Sequence, residues 1–201
     1  MKQQIARILL DLNAVQIKTD PPFTWTSGIK SPIYCDNRLM ISNVEGRRKV
    51  IAGFIKLIEK LDFDVLGGTA TAGIPWAAFL AEELDLPMVY IRGDAKKHGK
   101  QNQIEGNIKE GQKVLIVEDL ISTGKSSIAA AEAVREAGGV VKDVIAIFTY
   151  ELLKGIEAFA QADLRFHTLT DFPTLIGITD LSEKEKENVL DFAKDPAGWK
   201  A

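Results

Sequence analysis

The 201-residue sequence is poor in cysteine and histidine, with one cysteine, Cys35, and two histidines. A single cysteine cannot form a disulfide within the chain, and it excludes a metal cage built from cysteine thiolates. This cysteine usage fits the reducing environment of the cytosol. We therefore expect a cytoplasmic protein without structural disulfides.

Long apolar runs and a strong positive charge are also missing. No apolar run approaches the roughly 18 residues of a membrane-spanning helix. The N-terminal stretch MKQQIARILLDLNAV carries charges within its apolar spacing, unlike a signal peptide. The net charge of -3 argues against nucleic-acid binding by bulk electrostatics. We expect neither a membrane nor a nucleic acid as a partner.

The pattern that remains is that of one α/β domain. Short apolar runs alternate with helical patterns from about residue 50 to residue 150, which is typical of a mainly parallel sheet flanked by helices. In the last helix, Ser182 and Glu185 fit a capping box. We predict a single domain over residues 1–201, with a core at about 45–170 and a small hood formed by about 1–44 and 171–201.

Two adjacent carboxylates, Glu118 and Asp119, end a predicted strand in the stretch VLIVEDLISTGKSS. Ligands of an open parallel sheet bind beyond the carboxyl ends of its strands. The following turn leads into a predicted helix whose first amides have no internal partner. With the hydroxyls of Ser122, Thr123 and Ser126, such a turn suits a phosphate monoester.

Acids beside a phosphate site repel the phosphate unless something lies between them. A sugar diol or a Mg²⁺ ion on substrate oxygens fills that place, so the stretch predicts a site for a phosphorylated ribose. A capped turn with exposed acids is the plain alternative. A nucleotide P-loop is a second one, but that motif needs glycine five residues before Gly124, where the chain has Asp119.

Two further loops have a composition that suits anions. The segment LGGTATAGIP, from Leu66 to Pro75, lets backbone amides approach a second phosphate, although an ordinary tight turn has the same composition. The segment RGDAKKHGKQNQIEG, from Arg92 to Gly106, is long, polar and basic, and we call it the lid. We predict that it closes over a polyanion such as pyrophosphate, with a solvated surface loop as the alternative. His167, within LRFHTL, is predicted to be a structural strand residue.

Together these segments resemble a known family. VLIVEDLISTGKSS resembles the phosphoribosyl-pyrophosphate (PRPP) motif of type I phosphoribosyltransferases. FTWTSGIKSPIYCDNR, with the lid, is similar to orotate phosphoribosyltransferases in particular. The resemblance implies the type I phosphoribosyltransferase fold and transfer of the 5-phosphoribosyl group from PRPP to orotate, in de novo pyrimidine biosynthesis. It also implies Mg²⁺ as cofactor and a homodimer in which each lid acts in trans, in the partner's site.

The resemblance assigns roles residue by residue. Glu118 and Asp119 are implied to hold the ribose hydroxyls or to stabilise an oxocarbenium-like centre, and Lys96 joins them as a catalytic residue. Ser122 and Lys30 are implied orotate contacts. No residue is a certain metal ligand, since Mg²⁺ is bound mainly through PRPP, with Asp119 as the candidate protein ligand. The implied PRPP-binding set is Arg92, Lys96, His98, Glu118, Asp119, Leu120, Ile121, Ser122, Thr123, Gly124, Lys125 and Ser126.

The sequence also departs from the pattern of some family members. Lys30 and Arg38 are candidates to supply basic charge that is missing elsewhere. Lys125 stands where the motif more often has glycine, and a positive φ there would cost about 1–2 kcal/mol. The positions that lack a basic residue found in some members are Thr26, Ala72, Gly93 and Tyr150.

Two other functions share the PRPP motif. One is a type I phosphoribosyltransferase for another base, against which the segment SGIKSPIYCDNR favours orotate. The other is a regulator that senses PRPP without catalysis. Such regulators usually carry a nucleic-acid-binding module or a basic surface, which this sequence does not show.

Overall fold

The computed structural model describes residues 1–25, 28–93 and 103–200. These residues form short strands and one helix near the N-terminus, an alternating strand and helix region, and three C-terminal helices. In chain order the elements are α1 (Lys2–Asp11), β1 (Val15–Ile17), β2 (Phe23–Thr24), β3 (Lys30–Ser31), β4 (Ile33–Cys35), α2 (Leu39–Ser42), α3 (Val44–Ile58), β5 (Val65–Thr69), α4 (Gly73–Leu84), β6 (Met88–Ile91), β7 (Ile104–Glu105), β8 (Val114–Val117), β9 (Leu120–Ile121), α5 (Lys125–Glu136), β10 (Asp143–Thr149), α6 (Leu153–Gln161), β11 (Arg165–Asp171), α7 (Phe172–Gly177) and α8 (Glu183–Lys194).

The central sheet is mainly parallel, as predicted. Its strand order is β11-β10-β8-β5-β6-β7, and β9 pairs with β10 beyond the end of β8. The pairs among β5, β6, β8, β10 and β11 are parallel, and β7 runs antiparallel to β6. The strands β8 and β9 both pair with β10, and the pairing is interrupted between them at Glu118 and Asp119. This interruption places both acids at the carboxyl edge of the sheet.

Apolar side chains cover both faces of the sheet, which explains the near-continuous hydrophobic runs of its strands. Because side chains alternate along a strand, β8 directs Leu115 and Val117 to one core and Ile116 to the other. The first core also contains Trp76 and Leu80 of α4. The second is closed by α5 and α6, with Ala130, Val134 and Phe159 among its members.

The N-terminal and C-terminal segments pack against each other, as the prediction of a hood requires. The Trp25 ring meets the ring of Phe192 edge to face, with centroids 5.4 Å apart. The ammonium of Lys2 in α1 donates to the Asp171 carboxylate at 2.5 Å. The strands β1 and β4 form an antiparallel pair, as do β2 and β3. The division of the domain at about residues 44 and 171 stays a prediction.

The capping box and the strand position of His167 agree with the sequence predictions. The Glu185 amide donates to the Ser182 hydroxyl at 3.4 Å, and the Ser182 amide donates to the Glu185 carboxylate at 2.8 Å. His167 lies in β11, where its Nε2 is 2.8 Å from Oδ1 of the buried Asp143. Burial alone would raise the pKa of Asp143, but hydrogen bonds with Arg165 and His167 bring it below its usual value.

Among the helices of residues 1–25, 28–93 and 103–200, none combines the length and the apolar character that crossing a bilayer requires.

Candidate functional site

Glu118 and Asp119 differ in their surroundings. The Glu118 side chain turns inward, is 5% exposed, and accepts hydrogen bonds from the hydroxyls of Ser126 at 3.1 Å and Ser127 at 3.4 Å. Its other carboxyl oxygen accepts the Asp119 amide at 3.1 Å. Asp119 is partly exposed. Both acids were predicted to hold ribose hydroxyls, and in the structure the first of them is engaged with the start of α5.

Burial, followed by the neighbouring Asp119 charge, raises the pKa of Glu118 to about 8. Burial also raises the pKa of Asp119, while a hydrogen bond with the Glu118 side chain, backbone hydrogen bonds and the Arg38 charge lower it. Because the pKa of Glu118 lies above neutral pH, we assign the negative charge of the pair to Asp119, which is the less buried of the two. One of the two acids beside the predicted phosphate site is therefore uncharged. This reduces the repulsion that two adjacent carboxylates would exert on a bound phosphate.

The turn after the acids is shaped by two glycines. Gly124 has a φ of 76°, and a Cβ on it would stand 2.6 Å from the Phe159 ring, so this position needs glycine. Gly155 of α6 packs so closely against the Ser122 carbonyl that a Cβ would collide with it. Lys125 is the first residue of α5 and is not among the residues with positive φ. The strain considered for lysine at that position therefore does not arise.

A cavity of about 380 Å³ lies over this turn, and we call it the anion cavity. The free amides at the start of α5 and the helix dipole favour an anion there. Arg92 lines the cavity while paired with Glu105, with Nη1 and Oε1 3.2 Å apart. The structure thus brings Arg92 together with the predicted phosphate turn. The lining residues are Thr69, Ala70, Ile91, Arg92, Gly93, Ser122, Thr123, Gly124, Lys125, Ser126, Ala129 and Ala130.

The loop after β5 forms one wall of the anion cavity. Thr69 is 4% exposed, and its hydroxyl has no hydrogen-bond partner within the described part of the chain. The peptide bond between Ala70 and Thr71 is cis. Gly73 packs directly against the end of β8, where a Cβ would collide with the Val117 carbonyl. The second predicted phosphate loop therefore touches the strand end that bears the acids, and its buried Thr69 hydroxyl has no partner among residues 1–25, 28–93 and 103–200.

A second cavity of about 290 Å³ adjoins the first, and we call it the base cavity. Ser122 lines both cavities, and its predicted contacts with PRPP and orotate stay predictions. Lys30 donates from Nζ to the Thr24 hydroxyl at 2.8 Å, which places it beside a wall of this cavity. The walls are formed by Thr24, Trp25, Tyr34, Cys35, Leu120, Ser122 and Tyr150.

The structure qualifies several other predicted positions. Ile121 has its side chain in the core, 2% exposed, so only its backbone is available to a ligand. Tyr150, which stands where some family members have a basic residue, packs on Trp25 with ring centroids 5.3 Å apart. Arg38 makes two hydrogen bonds to Asp36, at 2.6 and 2.8 Å. Those bonds and, at longer range, the Asp119 charge raise the pKa of Arg38, so a cation lies near the acid pair.

Some predicted positions cannot be placed. Lys96 and His98 of the lid and Thr26 lie outside the described residues. Within the described ranges, no group of three or more histidine, cysteine, aspartate or glutamate side chains is arranged to hold a metal ion.

The sequence matches the family model described as "Phosphoribosyl transferase domain" over residues 40–156. It is 53% identical to an orotate phosphoribosyltransferase of Coxiella burnetii over 202 residues, which cover 98% of this chain and 97% of that protein. The chain belongs to the orotate phosphoribosyltransferase family. The resemblance to orotate phosphoribosyltransferases and the enzyme class that it implies, a pentosyltransferase of pyrimidine biosynthesis, are confirmed.

Solved structures confirm the type I phosphoribosyltransferase fold of the enzyme. An orotate phosphoribosyltransferase from Aeropyrum pernix superimposes with a TM-score of 0.77 at 27% identity, over 86% of this chain and 96% of that one. An adenine phosphoribosyltransferase from Thermoanaerobacter pseudethanolicus gives a TM-score of 0.64 at 22% identity, over 82% and 99%. Because the fold is common to proteins named for different bases, the orotate assignment comes from the sequence relatives.

Sequence reasoning missed several residues of the site in this transferase. Thr69 lies within the predicted loop from Leu66 to Pro75, where only backbone amides were considered, and a hydroxyl at the carboxyl end of a strand is a signal that could have identified it. Ser127 follows the predicted turn by one residue, and its contact with Glu118 depends on how the helix begins. Asn37 contacts the Asp119 backbone from a segment 82 positions away, which no local pattern reveals.

The pH dependence of stability tests the state of Glu118 in the unliganded enzyme. A carboxyl whose pKa is raised on folding binds its proton more tightly in the folded state, so stability falls as pH rises from about 4.5 to about 8. Glutamine stays neutral and escapes this loss. We expect Glu118→Gln to raise the free energy of unfolding by about 1–3 kcal/mol at pH 8, and by little at pH 4.5.

Urea unfolding of both proteins at the two pH values measures this difference. The exposed Glu59→Gln is the matched control, since it removes one carboxylate from the surface. Parallel pH profiles of wild type and Glu118→Gln would show that Glu118 is ionised in the folded enzyme.

Proposed function

We propose that this enzyme transfers the 5-phosphoribosyl group of PRPP to orotate, giving orotidine 5'-monophosphate and pyrophosphate. The observation that carries the proposal is Ser122, which lines both the anion cavity and the base cavity. A sugar phosphate bound at the turn therefore extends toward a separate cavity with aromatic walls. Asp119 lies three residues before Ser122, at the interruption between β8 and β9, and we propose that it reaches the same sugar.

The reaction separates charge, and the site offers a group of opposite sign for each of the two charges. The bond from the anomeric carbon to pyrophosphate breaks while an orotate nitrogen approaches the opposite face of the sugar. Positive charge develops on the ribose, and the Asp119 carboxylate is placed to stabilise it. Negative charge develops on pyrophosphate, for which Arg92 lies ready in the anion cavity. Such preorganised charges are typically worth about 2.7–4 kcal/mol each in a transition state.

We assign the pyrophosphate end to the wall formed by the loop after β5. The buried Thr69 hydroxyl lacks a partner in the described residues, and a ligand oxygen would satisfy it. Lys96 and His98 of the lid, which lie outside the described residues, are proposed to complete this end. Closure of the lid would exclude water and strengthen each charge contact.

Glu118 is proposed to act mainly as a neutral group. Its hydrogen bonds with Ser126 and Ser127 fix the first turn of α5. Because its carboxyl is protonated near neutral pH, it adds little repulsion toward a phosphate bound at that turn. Direct contact of Glu118 with the ribose hydroxyls stays a prediction.

Mg²⁺ is the proposed cofactor. The ion prefers carboxylate and phosphate oxygens and keeps several waters, so it does not need a complete protein cage. The donor set here offers one charged carboxylate, that of Asp119, and the remaining ligands would come from PRPP and water. When bound, the ion would neutralise phosphate charge and orient the pyrophosphate.

Orotate is proposed to bind in the base cavity, with Lys30 facing its carboxylate. The ammonium of Lys30 already contacts the cavity wall at Thr24. Tyr34 is 42% exposed there and offers an aromatic face to a planar base.

The family pattern also supports a homodimer in which each lid acts in the partner's site. A cytoplasmic location is part of the same proposal, supported by the unpaired Cys35.

The direct test follows orotate consumption by ultraviolet absorbance, with PRPP and Mg²⁺ present or each omitted. We expect turnover only when all three are present, and none with uracil, adenine or hypoxanthine in place of orotate. Turnover of another base in preference to orotate would contradict the substrate assignment. Binding of PRPP without turnover of any base would support the regulator instead.

A further inference from the structure

Asn37 is a buried polar residue beside the acid pair, and the mechanism above leaves it unused. It is 0% exposed and follows β4 of the hood. Its Nδ2 donates to the backbone carbonyl of Asp119 at 2.7 Å, across 82 positions of sequence. A buried amide that bonds a main-chain carbonyl so far along the chain joins two segments that are otherwise separate.

The Asp119 carbonyl lies where the sheet gives it weak support. Between β8 and β9 the chain leaves the regular ladder, and the Phe148 amide of β10 reaches this carbonyl only at 3.3 Å. The bond from Asn37 is shorter by more than half an ångström, so the side chain supplies what the interrupted ladder does not. The peptide held in this way is the one that follows the Asp119 Cα, and its orientation helps to set the direction of the Asp119 side chain.

The orientation of the Asn37 amide is itself fixed from the base cavity. The Cys35 thiol donates to the Asn37 Oδ1 at 3.3 Å, which leaves Nδ2 to face Asp119. Cys35 also lines the base cavity. A continuous chain of contacts therefore runs from a wall of the base cavity, through Asn37, to the backbone of the acid that is proposed to hold the ribose.

We propose that Asn37 is a positioning residue, which holds the Asp119 peptide so that its carboxylate meets the ribose of PRPP. This inference rests on the proposed role of Asp119. It predicts a loss confined to ligands that carry the ribose. The phosphate turn from Ser122 to Ser126 does not depend on Asn37 for its hydrogen bonds, so inorganic phosphate should bind as before.

The test compares the dissociation constants of PRPP with Mg²⁺ and of inorganic phosphate, measured by titration calorimetry. Asn37→Leu keeps the volume and removes the donor, and Asn37→Asp keeps the shape and, when ionised, cannot donate. In both variants we expect the preference for PRPP over phosphate to fall about tenfold, with phosphate affinity within about twofold of wild type. A change of packing alone would lower the melting temperature without changing this preference.

Two further variants sharpen the result. On an Asp119→Asn background, Asn37→Leu should cause no additional loss of PRPP preference, because the two residues act through one contact. Cys35→Ser keeps a donor toward Asn37 and should keep the preference, whereas Cys35→Ala should lower it about threefold.

The outcomes separate this inference from the proposed function. If the wild type discriminates strongly between PRPP and phosphate and both Asn37 variants do so equally, the positioning role is overturned and the proposed function stands. A wild type that binds PRPP no more tightly than phosphate overturns the proposed function, and the role of Asn37 with it.

Discussion

Asp119→Asn is expected to lower the turnover of orotate by about one hundredfold to one thousandfold while the fold stays intact. Near neutral pH, Asp119 is the member of the acid pair to which we assign the negative charge. Asparagine keeps the size of the side chain and its capacity to accept hydrogen bonds, but it cannot offset positive charge on the ribose. Steady-state kinetics with saturating PRPP and Mg²⁺ measure the effect, and circular dichroism checks the fold.

Glu118→Gln is the matched comparison, because it makes the same chemical change one residue earlier. The Glu118 carboxyl is already mostly neutral at pH 7, so glutamine there should reduce turnover by less than about tenfold. The asymmetry between adjacent acids is the sharp part of the prediction. Equal losses at both positions would show that Glu118 also acts as a charged residue, as its motif alone suggests.

Lys96→Ala is expected to have an effect of similar size, a loss of about two to three orders of magnitude in turnover. The lid lysine is proposed to meet negative charge on the departing pyrophosphate, and alanine leaves that charge to Arg92 and the other groups that line the anion cavity. We expect the melting temperature to stay near the wild-type value, because the sequence around Lys96 is polar and Lys96 is not predicted to belong to the core. Lys109→Ala, which removes an exposed lysine outside the lid, is the control. Turnover near the wild-type value would remove Lys96 from the mechanism.

Mixing the two inactive variants tests whether the lid acts in trans. In a heterodimer of Lys96→Ala and Asp119→Asn subunits, one of the two sites combines an intact lid with an intact acid. Random exchange of equal amounts places half the subunits in heterodimers, so about one quarter of wild-type activity should return. No recovery after demonstrated subunit exchange would mean that each lid serves its own subunit.

The sequence predicted the central sheet and the acid pair because their signals are local. Strands such as β8 and β10 are buried on both faces, so they appear as short apolar runs, and Glu118 and Asp119 end one of them. The residues of the turn from Ser122 to Ser126 are adjacent in sequence, so their pattern can be recognised without knowledge of the tertiary structure. For the same reason the capping box at Ser182 was predictable.

Other properties of the site depend on the folded arrangement. Glu118 is protonated because it is buried. The sequence shows only two adjacent acids and does not reveal that one of them is buried. The residue of the turn with a positive φ is Gly124. Only the folded backbone shows that Lys125 begins α5 without a strained φ. The contact between Asn37 and Asp119 joins the hood to the sheet, so it exists only once both have packed.

A crystal structure of the enzyme with PRPP and Mg²⁺ bound would show directly where the sugar phosphate lies. We expect the 5'-phosphate within about 2.7–3.2 Å of the amides and hydroxyls between Ser122 and Ser126, with a ribose hydroxyl bonded to Asp119. A sugar bound away from this turn, with the Asp119 carboxylate in contact with solvent alone, would contradict this expectation.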